Sequence, residues 1–278
     1  MTAAELTRRF SVDGAELAWD SWGDAPGPTL ALCHGFSGSA HDFALHIDSM
    51  VAHRRVIALD HRGHGRSSKA HDLDSYSIDR LTTDLIALLV AHGGGAVDLL
   101  GHSMGGQIAI RAALSRPDLV HSLVLMDTSA WSFVPADEVQ AGAIRAFIEA
   151  FDPGGGLPDL RSLGSPEDDL IAQRTPLSWQ TRRDELSAAF DPFAMKALGA
   201  ELFDPERISL RHRLHELTCP VTVLVGSLDH PLVDQADALT GEIPCARLEI
   251  IEGAYHSPQL THPTEWGQAL GRHIPRAT

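Results

Sequence analysis

Six short apolar runs, separated by stretches with helical periodicity, constrain the fold of this chain more than any other feature of its sequence. The runs are TLALCHG (29–35), RVIALDHRG (55–63), AVDLLGHS (96–103), HSLVLMDT (121–128), PVTVLVGSLD (220–229) and ARLEIIEGAYH (246–256). Each run ends in a loop rich in glycine or aspartate, which is typical of parallel strands that are covered on both faces. We therefore predict an α/β fold with a doubly wound, mostly parallel sheet flanked by helices.

The segments between the runs carry helix signals. In residues 77–93, leucines recur at helical spacing, Ser77 is a suitable N-cap and Gly93 is a suitable end. The tail at 262–274 begins with Pro263 near a first helical position. At the other end of the chain, residues 8–23 alternate around an Asp-Gly pair, which predicts a β-hairpin.

One interval breaks the alternation of strands and helices. Between residues 131 and 210 no strand-like run appears, and roughly eighty residues are too many for a plain connection in a compact domain. We expect residues 1–130 and 211–278 to form the core and residues 131–210 to form a helical cap inserted into it. The triple glycine at 154–156 would give that insertion a flexible joint.

Charge and composition restrict the partners of this chain. A formal net charge of −15 makes nucleic acid and anionic membrane surfaces poor partners. No stretch reaches the roughly 18 apolar residues of a membrane span, and the N-terminus lacks an apolar leader. The three cysteines show no metal-type spacing, which favours reduced thiols. We expect a cytoplasmic protein with a small-molecule substrate, and the sequence leaves a homodimer open.

A serine between glycines marks the join of one predicted strand and the next helix. GHSMG (101–105) fits the G-x-S-x-G pattern, with a strand before it and a helix after it. Such a sharp turn strains the backbone of the serine and brings the chain close to itself, so Gly101 and Gly105 must be small. Gly106 would let the helix pack closely. We predict that Ser103 is a nucleophile exposed at the carboxyl edge of the sheet.

A serine hydroxyl needs a base, and for this pattern the chain order is serine, then acid, then histidine. His256 follows the last predicted strand in a loop that can aim its side chain over the sheet, whereas His262 falls at the start of the final helix. Asp229 ends the strand before His256, and Asp127 ends an earlier strand as the alternative acid. Asp229 lies in the position that is more usual for the acid that orients the histidine.

Two further positions complete the predicted catalytic group. An oxyanion hole needs two backbone N–H groups close to the serine. Met104, directly after the nucleophile, would supply one, and Phe36, in the loop after the first predicted parallel strand, would supply the other.

Five motifs together resemble the α/β-hydrolase fold family in their order and spacing. They are HGFSGS (34–39), DHRGHGRS (60–67), GHSMGG (101–106), GSLDHP (226–231) and GAYHS (253–257). The resemblance covers nearly the whole chain outside the insertion. It implies a triad of Ser103, Asp229 and His256 and an insertion that acts as a cap over the site. The second motif is one that members of this family use structurally.

The chemistry implied is acyl transfer to water. A serine nucleophile argues against the epoxide hydrolase and haloalkane dehalogenase branches, and the sequence has no phosphate loop, dinucleotide fingerprint or haem motif, so we expect no cofactor and no metal. We expect hydrolysis of an ester or lactone through an acyl-enzyme on Ser103. The loop and serine motifs also resemble the 2-succinyl-6-hydroxy-2,4-cyclohexadiene-1-carboxylate synthase branch. C–C bond hydrolases and slow-turnover small-molecule receptors are further alternatives.

The insertion offers aromatic side chains as walls of a substrate pocket. We expect Trp131, Phe133 and Trp179 to bind substrate, although most aromatic residues of a cap form its own core. Three arginines at 174, 182 and 183 could bind a carboxylate, but a solvated helix face is the favoured position for them.

Overall fold

A computed structural model describes residues 8–131, 138–154, 157, 165–204, 206–207 and 209–274 of the chain. Its centre is an eight-stranded sheet with the strand order β1-β2-β4-β3-β5-β6-β7-β8. The strands are β1 (Arg8–Val12), β2 (Ala15–Trp22), β3 (Leu30–Cys33), β4 (Val56–Leu59), β5 (Val97–His102), β6 (Val120–Met126), β7 (Val221–Gly226) and β8 (Ala246–Ile251). The pairs β1–β2 and β2–β4 are antiparallel, and all other pairs are parallel. The predicted fold class is confirmed.

The N-terminal hairpin forms where the sequence predicts it. Val12 pairs with Ala15, so the turn contains two residues, Asp13 and Gly14. Their φ angles are +46° and +73°, the left-handed conformation that a two-residue hairpin turn requires.

Helices cover both faces of the sheet. They are α1 (Ile47–Val51), α2 (Ile78–His92), α3 (Met104–Ser115), α8 (Leu232–Glu242), α9 (Pro258–Thr261) and α10 (Pro263–His273). Leu99 packs into the core that contains residues of α2, α3 and α8, and its neighbour Leu100 packs into the core that contains residues of α1 and α10. Because successive side chains of a strand point to opposite faces, the near-continuous apolar runs supply both cores.

In the described part of the chain, four α-helices lie between β6 and β7. They are α4 (Glu138–Ala150), α5 (Pro166–Arg174), α6 (Leu177–Ala188) and α7 (Pro192–Leu202). The N–H of Leu210 donates to the carbonyl of Ala130 at 2.8 Å. This hydrogen bond therefore holds the two ends of the segment 131–210 next to each other. Gly155 and Gly156 of the predicted joint lie outside the described residues.

Buried charges fix the loop that follows β4. The Asp60 carboxylate accepts hydrogen bonds from the Ala40 N–H at 2.9 Å and from the Arg66 side chain at 2.8 Å. Arg62 forms a two-point ion pair with Asp84 at 2.6 and 2.7 Å. Paired and hydrogen-bonded in this way, buried charges hold a loop in one arrangement.

Within the described part of the chain, no helix is long and apolar enough to cross a membrane.

Candidate active site

Ser103 occupies a strained turn between β5 and α3. Its φ and ψ angles are +54° and −119°, a region that residues with a side chain rarely adopt. The backbone on both sides is held: the Ser103 N–H donates to the Met126 carbonyl at 2.9 Å, and the Ser103 carbonyl accepts from the Thr128 hydroxyl at 2.6 Å. These contacts with β6 and the residues after it maintain the strained conformation.

The glycines around Ser103 are required by close backbone contacts. A Cβ on Gly101 would lie 2.4 Å from the Gly105 carbonyl oxygen, and one on Gly105 would lie 2.2 Å from the Cys33 carbonyl oxygen. A Cβ on Gly106 would lie 2.4 Å from the Thr128 side chain. Distances this short exclude any side chain, as the sequence pattern predicts.

His256 and Asp229 form a hydrogen-bonded pair at the same edge of the sheet. Asp229 follows β7, and His256 lies in the loop after β8. The His256 Nδ1 is 2.9 Å from Asp229 Oδ2. This bond leaves the other ring nitrogen, Nε2, available for proton exchange. Ser103, Asp229 and His256 line one cavity.

The two members of the pair favour each other's charged form. Burial lowers the pKa of His256, but the charge of Asp229 and the hydrogen bond to it outweigh burial, so the pKa lies above its ordinary value. Burial raises the pKa of Asp229, but His256 outweighs it, and the pKa of this carboxyl lies below its ordinary value. The arrangement suits a base that becomes an imidazolium during a reaction.

The competing residues of the sequence analysis lie in other positions. Asp127 is fully buried, and its Oδ1 accepts from the Gly226 N–H at 2.8 Å rather than bonding a histidine. His262 Nδ1 lies 3.1 Å from the Thr261 hydroxyl at the start of α10. His102, beside the serine, turns away from it, and its Nε2 donates to the His256 carbonyl at 2.7 Å. His102 therefore contributes to placing the backbone of His256.

The two predicted oxyanion donors lie beside Ser103. Met104 is the first residue of α3, where a backbone N–H has no partner within the helix. Phe36 belongs to the turn after β3, and the preceding Gly35 packs so closely that a Cβ there would lie 3.1 Å from the Ser103 Cβ. Phe36 and Met104 both line the cavity. The helix N-terminus adds a favourable field for negative charge at this point.

The cavity has a volume of about 320 Å³. Its apolar walls are Phe36, Met104, Trp131, Phe147, Leu202, Phe203, Pro231 and Leu232. Its polar lining, apart from the residues discussed above, comprises Ser37, Gln107, Thr128, Ser129 and His230. Phe147 belongs to α4 and Leu202 to α7, so helices of the insertion form part of the wall. Among the described residues, no lysine or arginine lines this cavity.

The three predicted substrate-binding aromatics have different positions. Trp131 lines the cavity, and the Arg211 guanidinium lies 5.0 Å from its ring. Trp179 is absent from the lining: it stacks on His41 at 5.3 Å and its indole N–H donates to the His41 carbonyl at 3.1 Å. Trp179 thus has a packing position between α6 and the core. Phe133 lies outside the described residues.

The three candidate arginines also have structural contacts. Arg174 donates to the Thr261 carbonyl, and Arg182 pairs with Glu185 at 3.0 Å. The Arg183 guanidinium lies 5.4 Å from the Trp179 ring. No group of three or more potential metal ligands occurs in the described ranges.

Sequence reasoning missed some of the cavity lining. Gln107 lies four residues after Ser103, one helical turn along α3, and this spacing could have identified it. Leu202 and Phe203 at the end of α7 carry no signal of their own, because an apolar helix packs equally well inside a cap.

The comparison of this sequence with known families agrees with the geometry. A sequence profile of the alpha/beta hydrolase fold matches residues 28–263. The chain belongs to the α/β-hydrolase fold family. It is 28% identical over 263 residues to the dihydrolipoyllysine-residue acetyltransferase component of the acetoin cleaving system of Pseudomonas putida, covering 95% of this chain and 68% of that protein.

Solved structures of α/β-hydrolases superpose on nearly the whole chain. A hydrolase from Pseudomonas aeruginosa PA01 is 25% identical with a TM-score of 0.77, covering 98% of this chain and 100% of that one. A thermophilic esterase from Thermogutta terrifontis is 25% identical with a TM-score of 0.74, covering 98% of each chain.

Proposed function

We propose that this α/β-hydrolase is a serine hydrolase that cleaves a small, neutral carboxylic ester or lactone through an acyl-enzyme on Ser103. The observation that carries the proposal is the hydrogen bond between His256 and Asp229. Both residues line the same cavity as Ser103, which lies in a strained turn. A nucleophile, a base and a carboxylate that orients the base are the parts that acyl transfer needs. The similarity to a hydrolase and an esterase over 98% of the chain supports the same chemistry.

The proposed reaction has two halves. Ser103 Oγ attacks the substrate carbonyl while His256 Nε2 takes the hydroxyl proton, and the backbone N–H groups of Phe36 and Met104 donate to the oxyanion that forms. The imidazolium returns the proton to the alkoxide, which leaves as the alcohol. Water then attacks the acyl-enzyme and gives its proton to His256, and the acid is released as Ser103 regains its proton. Asp229 stabilises the imidazolium in both halves.

The walls of the cavity support a neutral acyl substrate. Its volume of about 320 Å³ lies at the lower end of the range for small-molecule sites. Eight apolar side chains line it, and within the described part of the chain no lysine or arginine does. A substrate carboxylate would be buried there without a lysine or arginine among the described residues to pair with, which is unfavourable. This weighs against the synthase-like alternative, whose substrate is a carboxylate by name.

The decisive test is Ser103→Ala with a panel of neutral esters and lactones of increasing acyl length and matched substrates that bear a carboxylate. We expect turnover of the neutral series by the wild type and its loss by a factor of at least about 10⁴ in the variant, with the fold retained. A fluorophosphonate probe should label Ser103. Labelling at another residue, or activity retained in Ser103→Ala, would contradict the proposal.

The remaining alternatives predict different results in the same panel. A receptor would bind the compounds without multiple turnovers, and a C–C bond hydrolase would cleave a 1,3-diketone faster than the matched ester. An enzyme specific for carboxylated substrates would reverse the order of the two series.

A further inference from the structure

Helix α5 of the insertion lies along the segment that follows His256. Ile171 packs against Leu260 in a small apolar cluster, and Arg174 donates to the Thr261 carbonyl. These contacts fasten α5 to α9, which begins only two residues after the histidine. The position of His256 therefore depends on the insertion as well as on β8.

At its N-terminal end, α5 reaches the histidine loop itself. The Glu167 carboxylate accepts a hydrogen bond from the backbone N–H of Ser257, directly after His256. Ser165 caps the helix in a reciprocal arrangement with Asp168, so the first turn that carries Glu167 is well fixed. Glu167 and Ser257 are 90 residues apart in the sequence, and their hydrogen bond lies directly beside the proposed base, His256.

Four titratable groups surround the His256 imidazole from different elements. Asp229 bonds it from the turn after β7, and Glu167 acts on it electrostatically from α5. The His102 ring lies 4.9 Å away, and burial lowers the pKa of His102 to about 3, so this ring is neutral. Asp127 lies behind Asp229, where burial and then the Asp229 charge raise its pKa well above the ordinary value. Glu167 and Asp229 are therefore the two carboxylates that bear on the imidazole.

Resting on the function proposed above, we propose that Glu167 is a positioning residue for His256. Its hydrogen bond ties the histidine loop to the insertion, and its charge adds a second carboxylate to the surroundings of the base. The insertion then does more than form a wall of the substrate cavity, because docking of α5 completes the environment of the catalytic histidine.

The charge is tested with Glu167→Gln, which keeps an oxygen that accepts from Ser257. A negative charge stabilises the imidazolium, so its removal lowers the pKa of His256. NMR titration of the His256 ring measures this directly, and the acidic limb of the kcat/KM profile should move to lower pH by the same amount. Asp169→Asn is the matched control, since it removes an equal charge from an exposed position on the same turn.

The tether is tested with Glu167→Ala, which removes the acceptor as well as the charge. We expect the same change in the pKa of His256, together with a fall in kcat of about 10-fold as the histidine loop loses its contact with α5. If kcat is higher in Glu167→Gln than in Glu167→Ala, the difference in kcat between the two variants is due to the hydrogen bond with Ser257.

The proposal is overturned if His256 titrates identically in the wild type and in both Glu167 variants, or if Asp169→Asn shifts it equally. The NMR titration needs no turnover. A protein that fails to hydrolyse esters but shows the shift would therefore refute the proposed function and leave the role of Glu167 intact.

Discussion

At the scale of single residues, two aspartates near His256 have pKa values that are shifted in opposite directions. Asp127 Oδ1 accepts from the Gly226 N–H, and its Oδ2 is buried and accepts no hydrogen bond from a described residue. Burial, then the charge of Asp229, raises the pKa of Asp127 well above its ordinary value, whereas the pKa of Asp229 lies below its own. In its protonated form Asp127 can donate from Oδ2 to Asp229, and this favours the ionised form of Asp229 beside the imidazole.

Amide substitutions distinguish the two aspartates. Asp229→Asn would donate to His256 and hold it in the wrong tautomer, so we expect kcat/KM to fall by about 10⁴-fold. Asp127→Asn keeps a side chain that can donate to Asp229, and we expect a loss of less than about 10-fold. Steady-state kinetics on one neutral ester measures both. Equal losses, or the larger loss in Asp127→Asn, would show that the acid has been assigned to the wrong strand.

At the scale of elements, the turn between β5 and α3 is the part of the site that its own sequence determines. Gly105 packs against the carbonyl of Cys33 in β3, so α3 begins at a fixed distance from the neighbouring strand. The same close approach brings Phe36, in the turn after β3, to the side of Ser103.

Gly105→Ala should damage both stability and activity. Its Cβ would lie 2.2 Å from the Cys33 carbonyl oxygen, and moving α3 away would cost about 1–3 kcal/mol and displace the Met104 N–H. Gly241→Ala in α8 is the control, because a Cβ there meets no atom within 4 Å. We expect thermal unfolding and kcat to fall in the first variant and stay near wild type in the second. A Gly105→Ala protein with unchanged kcat would exclude this account of the turn.

The sequence predicts features that depend on neighbouring residues, and it does not predict features that depend on contacts between distant parts of the chain. Each strand carries its own periodicity, and Ser103 has a local steric pattern, so both could be identified from neighbouring residues. The packing position of Trp179 and the contact of Glu167 depend on partners 138 and 90 residues away. No periodicity records how an inserted helix docks, because many faces of a short amphipathic helix can be buried.

At the scale of the whole molecule, the insertion is joined to the core at several separate points. Asp191 accepts from the Tyr76 hydroxyl at 2.6 Å, and Glu201 accepts from the Ile78 N–H at 2.8 Å. Together with α5 on α9 and Trp179 on His41, these contacts fasten the helices between β6 and β7 to the rest of the described chain. The residues of these four contacts, unlike Trp131, do not line the cavity.

Trp131 and Trp179 test the difference between a residue that lines the cavity and a residue that fastens the insertion to the core. Trp131 lines the cavity, so Trp131→Ala should enlarge the acyl site and shift the ranking of ester chain lengths in kcat/KM toward longer chains. Trp179 is 4% exposed and packs with Ile171 and Leu260, so Trp179→Ala should lower the free energy of unfolding by about 3 kcal/mol and leave that ranking unchanged. Denaturant unfolding and the ester panel measure the two effects separately. The reverse pattern, with the ranking altered only by Trp179→Ala, would mean that the substrate occupies the space between α6 and the core rather than the cavity beside Ser103.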